Sequence, residues 1–320
     1  MDYSNFSVRT LNKVDFKKSL SVFFIVNPTT AMISRMIIEK YKIPSNNIKI
    51  FSFRNTDTSL TNYSVTKIKL NWYDRYLERL FWYSPSSNHI QRELKKINKN
   101  FILYTSWAYM QADRTINNKK CIGHVYIEEG QLAYMNINEF SPIKVSVLNK
   151  FLRNWRNRFN EITEVGFYFR NDSLNYVGIS KDSFPGIDEN KKIILDNLNV
   201  LKSFYPSRLM GIETIGLTCA SRRINKKDWP KMLELLIDQM EGQGVIKLHP
   251  SFTHSKKLND EIRYVFNRLK SKNISICPND VNIELEMMYE KKKIVGFTSS
   301  LSKYASIFGS DYKKLSFKSI

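Results

Sequence analysis

Three short stretches of this chain bring together side chains whose types and spacing suit chemistry on a phosphate-bearing substrate. The first is Lys247-Leu248-His249-Pro250, at the end of the apolar run Val245 to Leu248. The second is Thr298-Ser299-Ser300, directly after the run Lys293 to Phe297. Each reads as a turn from a strand into a helix. In an open parallel sheet, ligands sit beyond the carboxyl ends of the strands. A helix N-terminus with unsatisfied N–H groups and serine hydroxyls favours an anion there. One phosphate could be held between the imidazole and the two hydroxyls. The third stretch is Tyr126-Ile127-Glu128-Glu129-Gly130, where adjacent carboxylates close a strand before a permissive glycine. That arrangement can place one acid in a cleft as a general base.

Each stretch also has a plain structural reading. An acidic strand end is commonly just solvated, and Pro250 by itself marks a turn. Ser299-Ser300 is equally an N-cap pair opening a helix over Leu301 to Phe308. Of the four histidines, His89, His124, His249 and His254, only His249 follows directly on an apolar strand in the second half of the chain.

The elements that must position these residues alternate along the sequence. Ser21 to Val26 is a buried-strand run, and Asn27-Pro28-Thr29-Thr30 is a turn and cap that starts a helix through about Tyr41. Ile48 to Phe53, Phe101 to Ser106 and Ile122 to Ile127 read as further strands, with helical material between them. A second series begins with the strand Ile212 to Thr218 and the helix Trp229 to Met240. Helices over Leu258 to Leu269 and Asn282 to Tyr289, and a strand over Asn273 to Cys277, follow. This rhythm predicts an α/β fold with parallel sheets. It divides into a domain over 1–195 and another over 196–320, two Rossmann-like halves facing each other across a cleft in the GT-B manner. Asn171 to Lys192, polar and turn-rich, reads as an interdomain segment or an active-site loop.

The totals bound the function. A chain of 320 residues with 42% hydrophobic and 13% aromatic content can bury a substantial core. It holds no run of about 18 apolar residues that would span a bilayer. The first residues show no basic and apolar regions like those of a signal peptide, so a cytoplasmic location is expected. Cys121, Cys219 and Cys277 read as unbridged thiols of a reducing compartment. The formal charge of +20 implies an anionic partner. Lys150 to Ile162 sets Leu152, Trp155, Phe159 and Ile162 at helical spacing, with Arg153, Arg156 and Arg158 pointing elsewhere. Such a run is either a surface helix packed on the core or a peripheral contact with the anionic inner face of the cytoplasmic membrane.

Taken together and in order, the acidic-acidic-Gly, His-Pro and Ser-Ser stretches resemble the motif series of bacterial sialyltransferases of GT-B architecture. The spacing agrees, with 120 residues from Glu129 to His249 and 50 from His249 to Ser299. The longest similar segment is Pro278 to Leu301, in which Glu284 and a Met-Met pair precede a strand and the serine pair. The resemblance covers Val245 to Leu301 and Tyr126 to Tyr134. It implies CMP-sialic acid as donor, with no cofactor. It implies Glu129 as the base, with Glu128 as the other candidate, although several members of the family carry Asp where Glu129 stands. It further implies that His249 contacts the CMP phosphate and helps the leaving group depart, that Ser299 and Ser300 bind the same phosphate, that Pro250 belongs to the CMP site and that Glu284 holds the ribose hydroxyls.

The chemistry implied is a single displacement with inversion. The acceptor would be a bacterial surface glycan such as lipooligosaccharide, capsule or O-antigen, ending in galactose. No Asp-x-Asp sequence occurs, so no metal is expected. A CMP-Kdo-type transferase would use nearly the same phosphate chemistry. A non-catalytic binder of nucleic acid or another polyanion is the reading of a different class. It lacks any RNP-type, zinc or basic-region motif, so no nucleic-acid partner is expected.

Overall fold

The computed structural model describes residues 10–53, 63–69, 85–107, 110–136, 169, 172–253, 255–269, 273–297, 299 and 301–316. The amphipathic run Lys150 to Ile162, His254 and Ser300 lie outside the described residues. The chain divides into two compact units, Met1–Leu201 and Lys202–Ile320.

The first unit is built on a parallel sheet. Strand β1 (Leu20–Ile25) is buried along its whole length, as expected of a strand covered on both faces. It runs into helix α1 (Pro28–Lys40) through a reciprocal cap at Asn27. The Asn27 side chain accepts from the Thr30 N–H at 2.9 Å, and the Asn27 N–H donates to the Thr30 hydroxyl at 3.1 Å. Pro28 occupies the first helical turn, where its missing N–H costs nothing. Then follow β2 (Ile48–Phe53), β3 (Val65–Ile68), α2 (Pro85–Ile97), β4 (Phe101–Thr105), α3 (Met110–Ile116), β5 (Cys121–Ile127), β6 (Asn175–Gly178) and β7 (Lys192–Ile194). Among the described residues the strands lie in the order β3-β2-β1-β4-β5-β6-β7, with every neighbouring pair parallel. Val22, Phe24, Phe51, Phe53, Ile90, Leu94 and Leu103 form a core between this sheet and its helices. Each such side chain, fully buried, contributes roughly 1.5–3 kcal/mol.

The stretch Asn171 to Lys192 departs from its sequence reading, because its residues 175–178 form β6 inside the sheet. Its polar character is internal: buried Asn175 accepts from the Leu11 N–H at 2.7 Å and donates to the Lys191 carbonyl at 3.2 Å. A polar side chain that satisfies local backbone groups passes for loop composition in the sequence.

The second unit repeats the plan. Its elements are β8 (Thr214–Leu217), α4 (Trp229–Asp238), β9 (Gly244–Lys247), α5 (Pro250–Thr253), α6 (Lys256–Arg268), β10 (Ile274–Ile276), α7 (Ile283–Tyr289), β11 (Lys293–Gly296), α8 (Leu301–Ile307) and β12 (Asp311–Lys314). The strand order is β10-β9-β8-β11-β12, again all parallel. Leu217 pairs with Lys247 on one side and with Gly296 on the other, so these three residues end their strands in one row. Trp229, Leu233, Leu236, Ile246, Phe252 and Phe266 fill the core on one face, with the Trp229 and Phe252 rings edge to face at 5.1 Å. Among the described residues, no helix is long and apolar enough to cross a membrane.

Candidate functional site

In both sheets the strand order reverses once, between β1 and β4 and between β8 and β11. The crevice beyond the carboxyl ends of the strands at such a reversal is where open α/β sheets bind ligands. Of the residues singled out from the sequence, the Glu128–Glu129 pair, His249 and Ser299 follow the carboxyl ends of β5, β9 and β11, and Glu284 lies in the first turn of α7.

In the second unit, His249 stands two residues past β9. Its N–H donates to the Thr218 hydroxyl at 2.8 Å, and the Thr218 N–H donates to the Lys247 carbonyl at 3.2 Å. The ends of β8 and β9 are thereby tied just beyond the last strand pair. The imidazole itself is oriented. Its Nδ1 accepts from the Ser251 N–H at 3.1 Å and lies 2.9 Å from the Ser251 hydroxyl oxygen. That oxygen in turn accepts from the Ser221 N–H at 2.7 Å. A backbone donor on Nδ1 makes that nitrogen an acceptor, so the neutral ring carries its proton on Nε2. His249 and Pro250 are both exposed. Pro250 opens α5, and the Phe252 N–H donates to the His249 carbonyl at 2.9 Å.

Ser299 follows β11 on the far side of β8 and is half-exposed. Its hydroxyl accepts from the Leu301 N–H at 3.2 Å, and its carbonyl accepts from the Ser302 hydroxyl at 2.9 Å. Ser299 therefore caps α8, the plain structural reading of the pair. Its hydroxyl hydrogen stays available for an anion, since capping uses only a lone pair.

Glu284 and Glu286 have diverged in role. Glu286 is fully buried. It accepts from the Tyr205 hydroxyl at 2.9 Å, the Ser207 hydroxyl at 2.6 Å and the N–H groups of Arg208 and Leu209 at 2.9 and 3.1 Å. Four donors hold it as an anchor for the 205–209 segment. Glu284, in the first turn of α7, is half-exposed. Its helix is placed by a residue to which the sequence reading gave no role. The Lys247 ammonium donates to the carbonyls of Pro278, Asn279 and Val281 at 2.9, 2.8 and 2.7 Å. Burial pulls its pKa down, while Glu284 and Asp280 act the other way. Lys247 thus ties the approach to α7 to the end of the strand that leads to His249. The one sequence signal was a lysine closing an apolar strand.

In the first unit, β5 ends at the acidic pair, and the two glutamates separate cleanly. Glu128 is fully buried. It accepts from the Tyr134 hydroxyl at 2.7 Å, the Ser183 hydroxyl at 2.7 Å and the Ile179 N–H at 3.0 Å. Burial, and then the carboxylate beside it, push the Tyr134 phenol far above its usual range, so it remains a donor. The packing is close enough that Gly178 is required. A Cβ there would lie 2.6 Å from the Ser183 hydroxyl oxygen and 2.8 Å from Oε2 of Glu128. Glu129, next along, is half-exposed. Its carbonyl accepts from the Asn27 side-chain amide at 2.7 Å, which binds the turn after β5 to the turn after β1. Gly130 has φ 120°, a conformation that L side chains rarely adopt, and it turns the chain immediately after Glu129. Neither partner of Glu128 at Ile179 or Ser183 was legible in the sequence, since both are brought in by β6.

No protein-family model matches this chain, and no curated protein matches it. Solved structures do. One assigned as a UDP-N-acetylglucosamine 2-epimerase from Listeria monocytogenes aligns with a TM-score of 0.52 at 8% identity, covering 92% of this chain and 78% of the other. The UDP-GlcNAc 2-epimerase from Neisseria meningitidis gives 0.48 at 14% identity, covering 92% and 81%. A sialyltransferase from Photobacterium damsela gives 0.47 at 11% identity, covering 88% and 71%. At these identities the likeness is one of fold. The chain is an α/β protein with two parallel sheets and GT-B-like structural neighbours, as the sequence implied. A sialyltransferase is one of several activities among those neighbours.

Proposed function

We propose that this chain is an inverting sialyltransferase, moving sialic acid from CMP-sialic acid to a hydroxyl of a bacterial surface glycan. The observation that carries the reading is the held imidazole of His249 at the carboxyl edge of the second sheet. Its Nδ1 is committed to Ser251, and it stands beside the strand reversal where a nucleotide phosphate would be expected. The ordered motif series that includes Glu129, Glu284, Ser299 and Ser300 supports the same reading.

In this scheme the acceptor oxygen attacks the anomeric carbon of sialic acid as the bond from that carbon to the CMP phosphate oxygen breaks. Glu129 removes the hydroxyl proton, because a hydroxyl is a poor nucleophile until a carboxylate takes it. Half-exposed Glu129 suits that task better than buried Glu128, whose oxygens are engaged by three donors. Nε2–H of His249 and the serine hydroxyls meet the charge that grows on the departing phosphate. Preorganised donors of this kind lower a barrier most where charge develops. Glu284 holds the ribose hydroxyls and contributes equally to ground and transition states. A single displacement inverts the anomeric configuration, and the leaving monophosphate departs without a metal.

The direct test is to offer the protein CMP-sialic acid, CMP-Kdo and UDP-N-acetylglucosamine in parallel, with galactose-terminated and sialylated acceptors, and to analyse products by mass and linkage. Sialylated product from the first donor alone supports the proposal. Transfer from CMP-Kdo, or epimerisation of UDP-N-acetylglucosamine without transfer, overturns it.

A further inference from the structure

We propose that the amino-terminal edge of the first sheet, opposite the edge that carries Glu129, is a docking surface for an anionic lipid bilayer. Four connections lead into the adjacent strands β2, β1, β4 and β5, and they sit side by side because those strands do. Together these connections (residues 15–19, 41–47, 98–100 and 117–120) hold Lys17, Lys18, Lys42, Lys99, Lys119 and Lys120, against the single acid Asp15 and no arginine. Lys17, Lys18, Lys42, Lys99 and Lys119 are exposed and Lys120 is half-exposed.

Hydrogen bonds join the connections into one layer. Lys99 donates to Asn47 at 2.8 Å, and Asn47 donates to the carbonyls of Phe16 and Lys17 at 2.9 and 2.7 Å. The Leu20 N–H reaches the Asn100 carbonyl at 2.9 Å, the Phe101 N–H reaches the Lys120 carbonyl at 2.8 Å, and Lys120 donates to Asn98. Within the layer the half-exposed rings of Phe16 and Tyr41 pack at 5.1 Å.

The composition selects the partner. Recognition of nucleic acid draws on the planar, bidentate fork of arginine, which this edge lacks, whereas lysine offers a hydrated point charge that needs only a negative surface. Tyr41 has the apolar body and polar tip of residues found at the level of lipid headgroups, and Phe16 extends the apolar part of the pair. Lysines distributed over several connections, around such a pair, fit a plane of anionic headgroups. This surface is independent of the catalytic reading and of the segment Lys150 to Ile162.

The test is co-sedimentation of the intact chain with phosphatidylglycerol vesicles and with phosphatidylcholine vesicles, at low and at physiological salt. The variant is Lys17→Gln/Lys18→Gln/Lys42→Gln, three exposed side chains whose loss leaves the core untouched. The control is Lys231→Gln/Lys256→Gln/Lys257→Gln, which removes the same charge from exposed positions of the second unit. Each lysine near an anionic surface contributes about fivefold in partitioning, so the first variant should bind about 100-fold more weakly at low salt. The control should change binding by about threefold or less, because screening confines the attraction to nearby charges. The proposal is overturned if the control loses as much as the variant, if neutral vesicles bind equally, or if nothing binds at low salt. Tighter capture of duplex DNA than of anionic vesicles, lost in the same variant, would assign the edge to nucleic acid and overturn it as well.

Discussion

Replacing Glu128 by alanine should damage the fold, and replacing Glu129 by glutamine should damage the chemistry. Glu128 is fully buried and its two oxygens accept from the Tyr134 hydroxyl, the Ser183 hydroxyl and the Ile179 N–H. Alanine leaves the buried Ile179 N–H and Ser183 hydroxyl and the half-buried Tyr134 hydroxyl without that acceptor. A buried donor left unsatisfied costs about 1–3 kcal/mol, and hydroxyls can turn to seek other acceptors whereas the Ile179 N–H cannot. The loss is therefore about 3–6 kcal/mol, a large part of the ~5–15 kcal/mol that keeps a domain folded. Each kcal/mol moves the midpoint by about 2–4 °C in a domain of this size, so the first unit should melt at least about 6 °C lower. Glu129→Gln keeps the side chain's shape at a half-exposed position, and its carbonyl contact with Asn27 is unaffected. Its midpoint should stay within about 1–2 °C of wild type, while transfer falls by ~100-fold to 10,000-fold. Calorimetry and CMP release, measured on the same preparations, separate the two. A Glu128→Ala protein that melts like wild type but does not turn over would refute the division of labour, as would a fully active Glu129→Gln.

Further outcomes follow from the second unit. His249→Ala should lower kcat by ~100-fold to 1,000-fold with little change in the KM for CMP-sialic acid, whereas Glu284→Gln should raise KM and spare kcat; steady-state kinetics of both would show a reversed pattern if the roles are wrong. Lys247→Met should leave three carbonyls without their donor and loosen the 278–281 approach to α7, so hydrogen exchange should rise there and CMP affinity should fall; unchanged exchange would count against its tethering role. Burial pushes the Cys277 thiol from 9.0 up to about 11. The folded state then binds more protons than the unfolded one between those values. The resulting stability, ~2–3 kcal/mol, is complete below pH 9 and lost as pH rises towards 11. Denaturation of wild type and Cys277→Ala across that range should show the difference, and parallel curves would contradict it.

What was legible in the sequence was whatever the apolar runs encode. Leu20–Ile25, Gly244–Lys247 and Lys293–Gly296 are strands because buried parallel strands must be apolar on both faces, and their ends place Asn27, His249 and Ser299. The edge strand Asp311–Lys314 gave no such signal, since a strand at a sheet margin can keep lysines in water. Asn175–Gly178 gave none because its polar residues are paired within the protein. The division between Glu128 and Glu129, or between Glu284 and Glu286, depends on partners 51 to 81 residues away in the chain. Neighbouring glutamates are chemically alike until the fold delivers donors to one of them. The role of Lys247 is hidden for a related reason, because its three acceptors are backbone carbonyls of a loop whose side chains carry no mark of the contact.

The central claim is transfer of sialic acid from CMP by one displacement. The most direct measurement follows the anomeric carbon by NMR while the protein consumes CMP-sialic acid in the presence of a galactose-terminated acceptor and a chelator. The account predicts one CMP released for each sialoside formed, with the product's anomeric configuration opposite to the donor's and the rate unaffected by chelation. Retained configuration, CMP release that ignores the acceptor, or no consumption of CMP-sialic acid at all would contradict it.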